Sequence, residues 1–274
     1  MVLYRKYRPQ SLEDLIGQTQ VKTVLLQAFE NNDGFLNKLS HAYLFVGPRG
    51  TGKTSTARIL AKMINCVGKN APCNKCDVCQ AITDGSNLDL IEIDAASNRG
   101  IDDVRTLREN IKLSPSSNKK KVYIIDEVHM LTTEAFNALL KTLEEPPSHA
   151  IFILATTDVS KIPVTILSRV TRLDFKIAKL ADLILALEKV AKGEGIKLEN
   201  GVLEIIAQKA QGSFRDAVKL LDQVASSGQV TISDVITNLA LAPFDSLVEL
   251  LEFLAKKDKT ATLLAVNKLL EEVA

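Results

Sequence analysis

Eight consecutive residues have the types and spacing that phosphate binding requires. They follow the pattern G-x-x-x-x-G-K-[ST], with an apolar run before them and a helix-period segment after them. The glycines let backbone N–H groups converge on an anion, and the helix N-terminus adds the positive end of its dipole. The lysine is expected to reach the β and γ phosphates of a nucleotide, and the final threonine to offer its hydroxyl to Mg²⁺. The motif consists of Gly47, Pro48, Arg49, Gly50, Thr51, Gly52, Lys53 and Thr54.

A second motif places two carboxylates at the end of an apolar run. The run at 122–125 is followed directly by Asp126 and Glu127. The carboxyl end of a parallel strand faces the edge of the sheet where ligands bind. Asp126 can therefore hold Mg²⁺, and Glu127 can orient and deprotonate an attacking water. The alternative is a charged turn after a buried strand. Because a phosphate loop precedes this motif in the chain, the magnesium and water roles are the favoured interpretation.

Other acids and the histidines are given structural interpretations. Glu144 and Glu145 precede two prolines, which end helices, so both acids are assigned to a solvated last turn. Asp102 and Asp103 are assigned to a first turn, where acids suit the helix dipole. The three histidines are scattered without metal-ligand spacing and are interpreted as structural; they are His41, His129 and His149.

All four cysteines fall within a short window, with the spacing C-x6-C-x2-C-x2-C. Clustered cysteines in a reducing compartment indicate a metal site rather than disulfides. Four thiolates complete a closed tetrahedral Zn²⁺ site, so a structural zinc is predicted. An iron–sulfur cluster and buried free thiols are the alternatives. The predicted ligands are Cys66, Cys73, Cys76 and Cys79.

The elements that must position these residues alternate between strand and helix. Helix-period segments such as 54–64 and 101–113 separate most of the apolar, β-rich runs. This alternation predicts an α/β fold with a mostly parallel sheet covered on both faces. The predicted strands are Ala42 to Val46, Leu88 to Ile93, Lys121 to Ile125, Ala150 to Ala155 and Thr171 to Phe175.

The pattern changes after Phe175. Segments near 180–192, 200–210, 213–226 and 231–240 have helical periodicity, and no further convincing strand is visible. The sequence therefore predicts a nucleotide-binding domain followed by a small all-helical domain. The predicted ranges are 1–176, with a zinc module at about 65–80, then 177–241, and a last helical stretch at 242–274.

Composition sets limits on the function. The 274 residues are 46% hydrophobic and 24% charged, which is ordinary for a globular protein. The net charge of +1 lacks the basic balance of a dedicated nucleic-acid binder, so any DNA contact is expected to be local. No apolar run approaches the ~18 residues of a membrane span, and the amino terminus does not resemble a secretory signal. No membrane association and a cytoplasmic location are expected.

Several further motifs accompany the phosphate loop and the cysteines. They lie at 8–18, 91–97, 126–131, 143–147, 155–158 and 166–169. Together, over about residues 1–240, these motifs resemble the bacterial DNA polymerase III subunit gamma/tau family. The resemblance implies an AAA+ P-loop NTPase fold with a five-stranded parallel sheet, an embedded zinc module and a helical lid. It implies an ATPase of a clamp loader, which opens a sliding clamp and places it around primer–template DNA.

The same resemblance assigns three further roles. Thr157 matches the sensor of the γ-phosphate, with Thr156 as the adjacent candidate. Arg169 matches the arginine finger, which acts in trans on ATP held by a neighbouring subunit. Arg215 matches a second sensor carried by the lid. The family often has Cys after Ser-Arg where this chain has Val170, a change that preserves apolar packing.

Partners are also implied by the resemblance: other clamp-loader subunits, copies of the same chain, the sliding clamp, and primer–template DNA recognised without regard to sequence. The most basic region is the candidate for DNA contact, although a solvated helix face is an equal alternative. A third, helical collar domain would begin near 242, so 242–274 is expected to be the start of a truncated or short collar. The most basic region comprises 97–100, Arg105, Arg108, Lys112 and 119–121.

Three other functions remain as alternatives. Another AAA+ machine, such as a Holliday-junction motor, would not explain the cysteine insertion. A nucleotide kinase with a zinc-bearing lid would lack the pair Asp126 and Glu127 followed by a threonine sensor, and also a helical domain with Arg215. A scaffold with a degenerate loop would not need an intact Lys53. The expected cofactors are therefore ATP, Mg²⁺ and Zn²⁺.

Overall fold

The computed structural model describes residues 2–30, 39–98, 100–116, 119–225, 229–239 and 244–273. The strands are β1 Ala42–Val46, β2 Leu90–Asp94, β3 Lys121–Asp126, β4 Ala150–Thr156, β5 Thr171–Asp174, β6 Lys197–Leu198 and β7 Gln229–Val230. The helices are α1 Leu3–Lys6, α2 Thr19–Glu30, α3 Lys53–Asn65, α4 Asp77–Asp84, α5 Ile101–Ile111, α6 Thr133–Glu144, α7 Val164–Leu167, α8 Leu180–Glu194, α9 Val202–Lys209, α10 Phe214–Val224, α11 Ile232–Asn238, α12 Phe244–Ala255 and α13 Lys259–Val273. Two short 3-10 turns occupy Val128–Met130 and Val159–Lys161.

The first five strands form one parallel sheet in the order β2-β3-β4-β1-β5. The five predicted strands are therefore present, with ends that shift by one or two residues. The chain moves to one side of β1 for β2 and to the other for β5, which makes β1 the point where the strand order reverses. In open α/β sheets, ligands bind outside the carboxyl ends of the strands at such a point.

Both faces of this sheet are covered by helices, as the near-continuous apolar strands predict. Ala42, Leu44 and Val46 of β1 belong to one hydrophobic cluster, which α5, α6 and α7 complete. Tyr43 and Phe45 belong to the opposite cluster, which α2 and α3 complete. Successive residues of one strand thus enter different layers, since side chains alternate across a strand.

Helix ends follow the local sequence. The Thr132 hydroxyl accepts a hydrogen bond from the backbone N–H of Ala135 and so caps the start of α6. Gly195 ends α8 in the left-handed conformation, at φ 68°. Thr231 and Asp234 form a reciprocal capping box at the start of α11. Short polar residues and a glycine therefore fix these helix boundaries.

The chain divides into two compact units, Arg8–Ala178 and a second made of Met1–Tyr7 with Lys179–Ala274. This division corrects the placement of residues 1–7, which the sequence assigned to the nucleotide-binding domain. The backbone N–H of Leu3 instead donates to Asp222 of α10 at 3.5 Å. Lys6 pairs with Glu194 of α8 at 2.6 Å. These are tertiary contacts between distant positions, which local periodicity does not reveal.

The second unit is mainly helical, as predicted, and also contains two short strands that the sequence did not indicate. Lys197 pairs with Gln229 and Leu198 with Val230 in a parallel ladder. Two residues per strand are too few to produce a readable period in the sequence. The predicted boundary at Ala242 and Pro243 lies outside the described residues. Among the described residues, no helix combines the length and the hydrophobicity that crossing a bilayer requires.

Candidate functional site

The phosphate-binding motif forms a tight loop between β1 and α3. The backbone N–H of Gly47 donates to the carbonyl of Thr156 at 3.1 Å, which ties the loop to the end of β4. A side chain at Gly47 would collide with the backbone carbonyl of Phe175. Gly52 has φ 102°, a left-handed conformation that favours glycine, immediately before the helix starts. The glycines therefore permit the close approach and the turn that an anion-binding loop needs.

Lys53 is the first residue of α3 and is buried inside this loop. Its Nζ donates to the carbonyls of Gly47 at 2.7 Å and Pro48 at 2.9 Å. Burial lowers the pKa of Lys53, while the nearby carboxylates of Glu127 and Asp126 act in the opposite direction. An ammonium group held in this loop is well placed for electrostatic attraction to phosphate.

Thr54 and Asp126 meet across the sheet edge. The Thr54 hydroxyl donates to Asp126 Oδ2 at 2.6 Å, which joins the start of α3 to the end of β3. A hydroxyl and a carboxylate at this separation are hard oxygen ligands of the type that Mg²⁺ takes together with nucleotide phosphates. The donor set therefore fits a magnesium ion bound with a nucleotide.

Glu127 adopts an unusual backbone conformation, with φ 48° and ψ 42°. A left-handed conformation is costly for a non-glycine residue, and such strain clusters at functional sites. The conformation directs the side chain to a cluster of polar groups at the neighbouring strand. Glu127 Oε2 accepts a hydrogen bond from the Thr157 hydroxyl at 3.1 Å and lies 3.4 Å from His129 Nδ1. The carboxylate is 29% exposed, so water can reach it.

The two adjacent threonines at the end of β4 have different environments. Thr156 is fully buried; its hydroxyl lies 3.0 Å from His129 Nδ1 and donates to the carbonyl of Asp158. Thr157 is exposed, and its hydroxyl reaches Glu127. The geometry thus favours Thr157 over Thr156 as the threonine that contacts a ligand. His129, which the sequence left as structural, lies between the buried threonine and the acidic motif.

Arg169 follows α7 and makes its described contacts away from the phosphate loop. Its guanidinium donates to the Thr165 carbonyl at 2.6 Å, to the Ser168 hydroxyl at 3.1 Å and to Glu144 at 2.8 Å. Glu144 is exposed in the last turn of α6, as predicted, and it also forms an ion pair with Arg169. Glu144 is 46% exposed and the arginine 32%, so the pair is worth at most about 1 kcal/mol. This ion pair orients the guanidinium of Arg169 but is weak enough to be broken.

Arg215 belongs to the second unit, near the start of α10. Its guanidinium carbon lies 4.9 Å from the centre of the Tyr4 ring, within the range of a cation–π contact. Hydrogen bonds from Arg5 and Arg215 lower the pKa of Tyr4. Helix α1 therefore takes part in holding the predicted lid sensor, a role that no motif in the sequence suggested.

The four cysteine thiols converge on one point, with all their sulfur atoms within 4.8 Å of one another. Tetrahedral zinc at about 2.3 Å from each sulfur separates the sulfurs by roughly 3.8 Å, so the arrangement fits one bound ion. Cys66 Sγ accepts from the backbone N–H groups of Gly68 at 3.3 Å and Cys73 at 3.4 Å. Such bonds stabilise thiolates, which are the form that binds metal. The complete set is Cys66, Cys73, Cys76 and Cys79.

The protein environment acts on these thiols in opposite directions. The backbone N–H groups of Lys75 and Cys76 lower the pKa of Cys73 to about 6. Burial raises the pKa of Cys79 to about 12. A cation bound by both would offset the second effect, because coordination favours the deprotonated thiol. The cluster therefore has the chemistry of a metal centre.

The most basic region supports DNA contact less than its charge suggests. Lys121 is buried, and its Nζ lies within 3.5 Å of the carbonyls of Asn110 and Leu113. Lys119 donates to the carbonyl of Cys66 at 3.1 Å. Both ammonium groups are therefore bound to backbone carbonyls of the same chain, which leaves them less available to DNA phosphates. Arg99 and the side chains of Arg105 and Arg108 lie outside the described part.

Comparison with known proteins places the chain in a family. A family model described as DNA polymerase III, delta subunit, matches residues 17–179. A second, described as DNA polymerase III clamp loader subunit, ATPase lid domain, matches residues 184–230. The DNA polymerase III subunit gamma of Buchnera aphidicola subsp. Schizaphis graminum is 42% identical over 272 residues, covering 98% of this chain and 74% of that protein. The chain belongs to the DNA polymerase III gamma/tau family.

Membership of the gamma/tau family confirms the resemblance that the motifs suggested. The tau subunit of Bacillus subtilis (strain 168) is 48% identical over 274 residues, and that of Escherichia coli (strain K12) is 44% identical over 271 residues. These matches cover 98% and 97% of this chain but only 48% and 41% of the two relatives. The chain therefore spans less than half the length of these two relatives.

Solved structures confirm the predicted AAA+ architecture. The Thermotoga maritima RuvB Holliday junction branch migration motor aligns with a TM-score of 0.64, over 90% of this chain and 79% of that one. The sequences are only 21% identical, so this likeness concerns the fold alone. The structure contains the predicted five-stranded parallel sheet, and the lid-domain family model matches the predicted helical lid.

Proposed function

We propose that this chain is the ATPase module of a bacterial clamp loader, in which ATP binding and hydrolysis drive placement of a sliding clamp on primer–template DNA. One observation carries the enzymatic part. The carboxyl ends of the adjacent strands β3, β4 and β1 bring together Asp126, Glu127, Thr157 and the phosphate loop. Membership of the gamma/tau family supports the replication role.

Each residue then has a defined task in phosphoryl transfer to water. The loop from Gly47 to Thr54 surrounds the phosphates with N–H groups, and Lys53 contacts the β and γ phosphates. Thr54 and Asp126 would hold Mg²⁺, which would neutralise charge on the phosphates. Glu127 orients the attacking water and accepts its proton. Thr157 senses the γ-phosphate with a neutral hydroxyl and also contacts Glu127.

The two arginines act from outside this cluster. Arg169 serves as an arginine finger for a nucleotide held by the neighbouring subunit, where it stabilises transition-state charge. The weak pairing with Glu144 supports this role, since the guanidinium is kept oriented at a partly exposed position. Arg215 connects the state of the nucleotide with the lid. Its contact with Tyr4 supports a fixed orientation within the lid unit.

Assembly is proposed with copies of the chain, other clamp-loader subunits, the clamp and DNA, in the cytoplasm. Residues 244–273 would begin the collar through which subunits associate. Four leucines on α12 and α13 support this, since each has more than half of its surface exposed and another chain could cover them. They are Leu251, Leu254, Leu263 and Leu264.

The proposed function is tested by steady-state ATP hydrolysis of the purified chain, alone and then with primer–template DNA, the sliding clamp and the other loader subunits. Strong stimulation by the complete set is the expected result. Turnover that is appreciable but indifferent to every addition would leave an ATPase without a role in clamp loading. Consumption of ATP only with a nucleoside monophosphate would instead favour the kinase alternative.

Lys53→Ala is expected to weaken ATP binding about 10- to 100-fold. Hydrogen bonds to charged groups contribute about 1.5–3 kcal/mol, and the variant removes the cation at the phosphates. Binding of a fluorescent ATP analogue, measured by titration, gives the affinity. Lys209→Ala removes an exposed lysine of α9 and serves as the matched control. Unchanged affinity in Lys53→Ala would contradict the assignment of this lysine to the phosphates.

The cysteine centre is proposed to hold Zn²⁺ in a structural role. The sulfurs lie too close together for the several iron and sulfide atoms of an iron–sulfur cluster, which favours a single ion. Cys76→Ser is expected to lose the bound zinc and to lower the melting temperature by roughly 5–10 °C, if the centre contributes ~2–3 kcal/mol. Elemental analysis and thermal unfolding check both effects. Asn70→Ser, an exposed change between the cysteines, should retain zinc.

A further inference from the structure

Lys62 is a buried lysine that the proposed hydrolysis does not use. It lies on α3, and only 2% of its surface is exposed. A buried ammonium is costly unless it is paired or hydrogen-bonded. Its Nζ donates to Gln10 Oε1 at 2.5 Å and to Asn74 Oδ1 at 3.0 Å. Both acceptors are neutral amides, so the hydrogen bonds do not themselves balance the charge.

The second acceptor belongs to the cysteine centre. Asn74 stands between Cys73 and Cys76 in a left-handed conformation, with φ 55°. Its backbone N–H donates to the thiol of Cys79, while its side chain accepts from Lys62. A divalent ion with four thiolates has a net charge of −2, which a nearby cation stabilises. Lys62 is therefore joined to the metal loop by hydrogen bonding and by charge.

The first acceptor belongs to the amino-terminal segment. Gln10 Oε1 also lies 3.3 Å from the hydroxyl of Thr83, on the helix that contains Cys79. Four side chains, which we call the Lys62 junction, are thus connected by hydrogen bonds: Gln10, Lys62, Asn74 and Thr83. The junction brings together the amino-terminal segment, helix α3 and both sides of the cysteine centre.

The segment that starts at this junction continues to the phosphate loop. Leu12 and Leu15 are buried, and Leu15 lies 3.3 Å from the position that a side chain at Gly52 would occupy. Farther along, the Gln18 side chain donates to the carbonyls of Thr51 at 3.4 Å and Lys176 at 2.6 Å. Residues 10–18 therefore contact the Lys62 junction at one end and the phosphate loop at the other.

Helix α3 provides a second connection between the same two places. It begins at Lys53 in the phosphate loop, and Cys66 follows its last residue. A 13-residue helix is about 20 Å long and behaves as a rigid rod at this length. Residues 10–18 and helix α3 thus both connect the cysteine centre with the phosphate loop.

We infer that the cysteine centre positions the phosphate loop through the Lys62 junction, so that metal binding and nucleotide binding favour each other. The inference rests on the proposed function, since it assumes that the loop binds ATP. Lys62 is a positioning residue: it acts on the phosphate loop and the cysteine centre through Gln10 and Asn74 and contacts neither nucleotide nor metal. Coupling between two sites is reciprocal, so each ligand tightens the other by the same factor.

The test uses the complete, zinc-loaded chain and a fluorescent, non-hydrolysable ATP analogue with Mg²⁺. Removal of zinc by a zinc-selective chelator is expected to weaken analogue binding about 5- to 10-fold. In the reverse measurement, zinc affinity is determined by competition with the chelator, and the analogue is expected to raise it by the same factor. Circular dichroism shows whether the zinc-free chain keeps its secondary structure.

Two variants separate positioning from general stability. Gln10→Ala leaves the cysteines, the phosphate loop and Lys62 intact; with zinc bound, it is expected to weaken the analogue about 5-fold and to reduce the coupling below 2-fold. Lys62→Met is expected to lower zinc affinity about 10-fold, as loss of an outer-shell partner does. Lys69→Met, an exposed lysine between Cys66 and Cys73, should match the wild type in both measurements.

The outcomes distinguish this inference from the proposed function. Equal analogue affinity with and without zinc, in a folded wild-type chain, overturns the inference and leaves the ATPase proposal intact. Failure of the zinc-loaded wild type to bind the analogue overturns both. If the zinc-free chain unfolds, the zinc-loaded Gln10→Ala variant decides, since affinity equal to that of the wild type would refute positioning by the junction.

Discussion

Glu127→Gln is expected to reduce ATP hydrolysis about 10²- to 10⁴-fold while nucleotide affinity changes by less than about 3-fold. The amide has the size of the carboxylate and still accepts the hydrogen bond from Thr157. It cannot accept a proton from water, so the chemical step is lost while the binding contacts remain. Phosphate release in the steady state gives the first quantity, and titration with a fluorescent analogue gives the second.

The control for this prediction is Glu188→Gln, which makes the same exchange at an exposed position of α8. It should leave both quantities unchanged. Thr157→Val provides an independent check, because it removes the hydroxyl that contacts Glu127 and preserves the shape of the side chain. Equal hydrolysis by wild type and Glu127→Gln would show that another group serves as the base.

Arg169→Ala is expected to lower hydrolysis in the assembled loader about 10³-fold, with little effect on the affinity of the same chain for ATP. The arginine makes its described contacts with Thr165, Ser168 and Glu144, and these leave it partly exposed for a neighbour's nucleotide. Transition-state charge in one site would then be stabilised by another chain. The measurement is hydrolysis by assemblies reconstituted from tagged variants.

Complementation gives the decisive form of this test. Arg169→Ala chains keep an intact site without a finger, and Glu127→Gln chains keep a finger without an active site. Each alone should be inactive, whereas their mixture should recover a measurable share of wild-type hydrolysis. A mixture as inactive as its components would contradict action in trans. Arg172→Ala, an exposed arginine paired with Asp174, is the matched control.

Much of the site was readable from the sequence because local spacing specifies it. A glycine-rich loop between strand and helix admits few conformations, and carboxylates after a buried strand must face the ligand edge. The cysteine spacing likewise predicted a converging set, since three of the four ligands follow one another in the pattern C-x2-C-x2-C. The alternation of apolar runs with helical segments gave the parallel sheet for the same reason: side-chain periodicity is a local property.

Contacts between distant positions were decided only by the tertiary structure. Glu144 is an exposed acid in the last turn of α6, as predicted, but its pairing with Arg169 was not visible in the sequence. His129 was interpreted as structural and lies beside Glu127. Residues 2–7 pack with the helical unit because Leu3 and Lys6 contact partners on α10 and α8. In the sequence, Lys62 cannot be distinguished from an exposed lysine of a helix. Only the folded chain buries it and places its ammonium group beside Gln10 and Asn74. The sequence by itself determined which chemistry the chain carries, because residue types and short spacings define ligands and strands. The tertiary structure decided which groups orient that chemistry, because burial and pairing across many residues depend on how the layers pack.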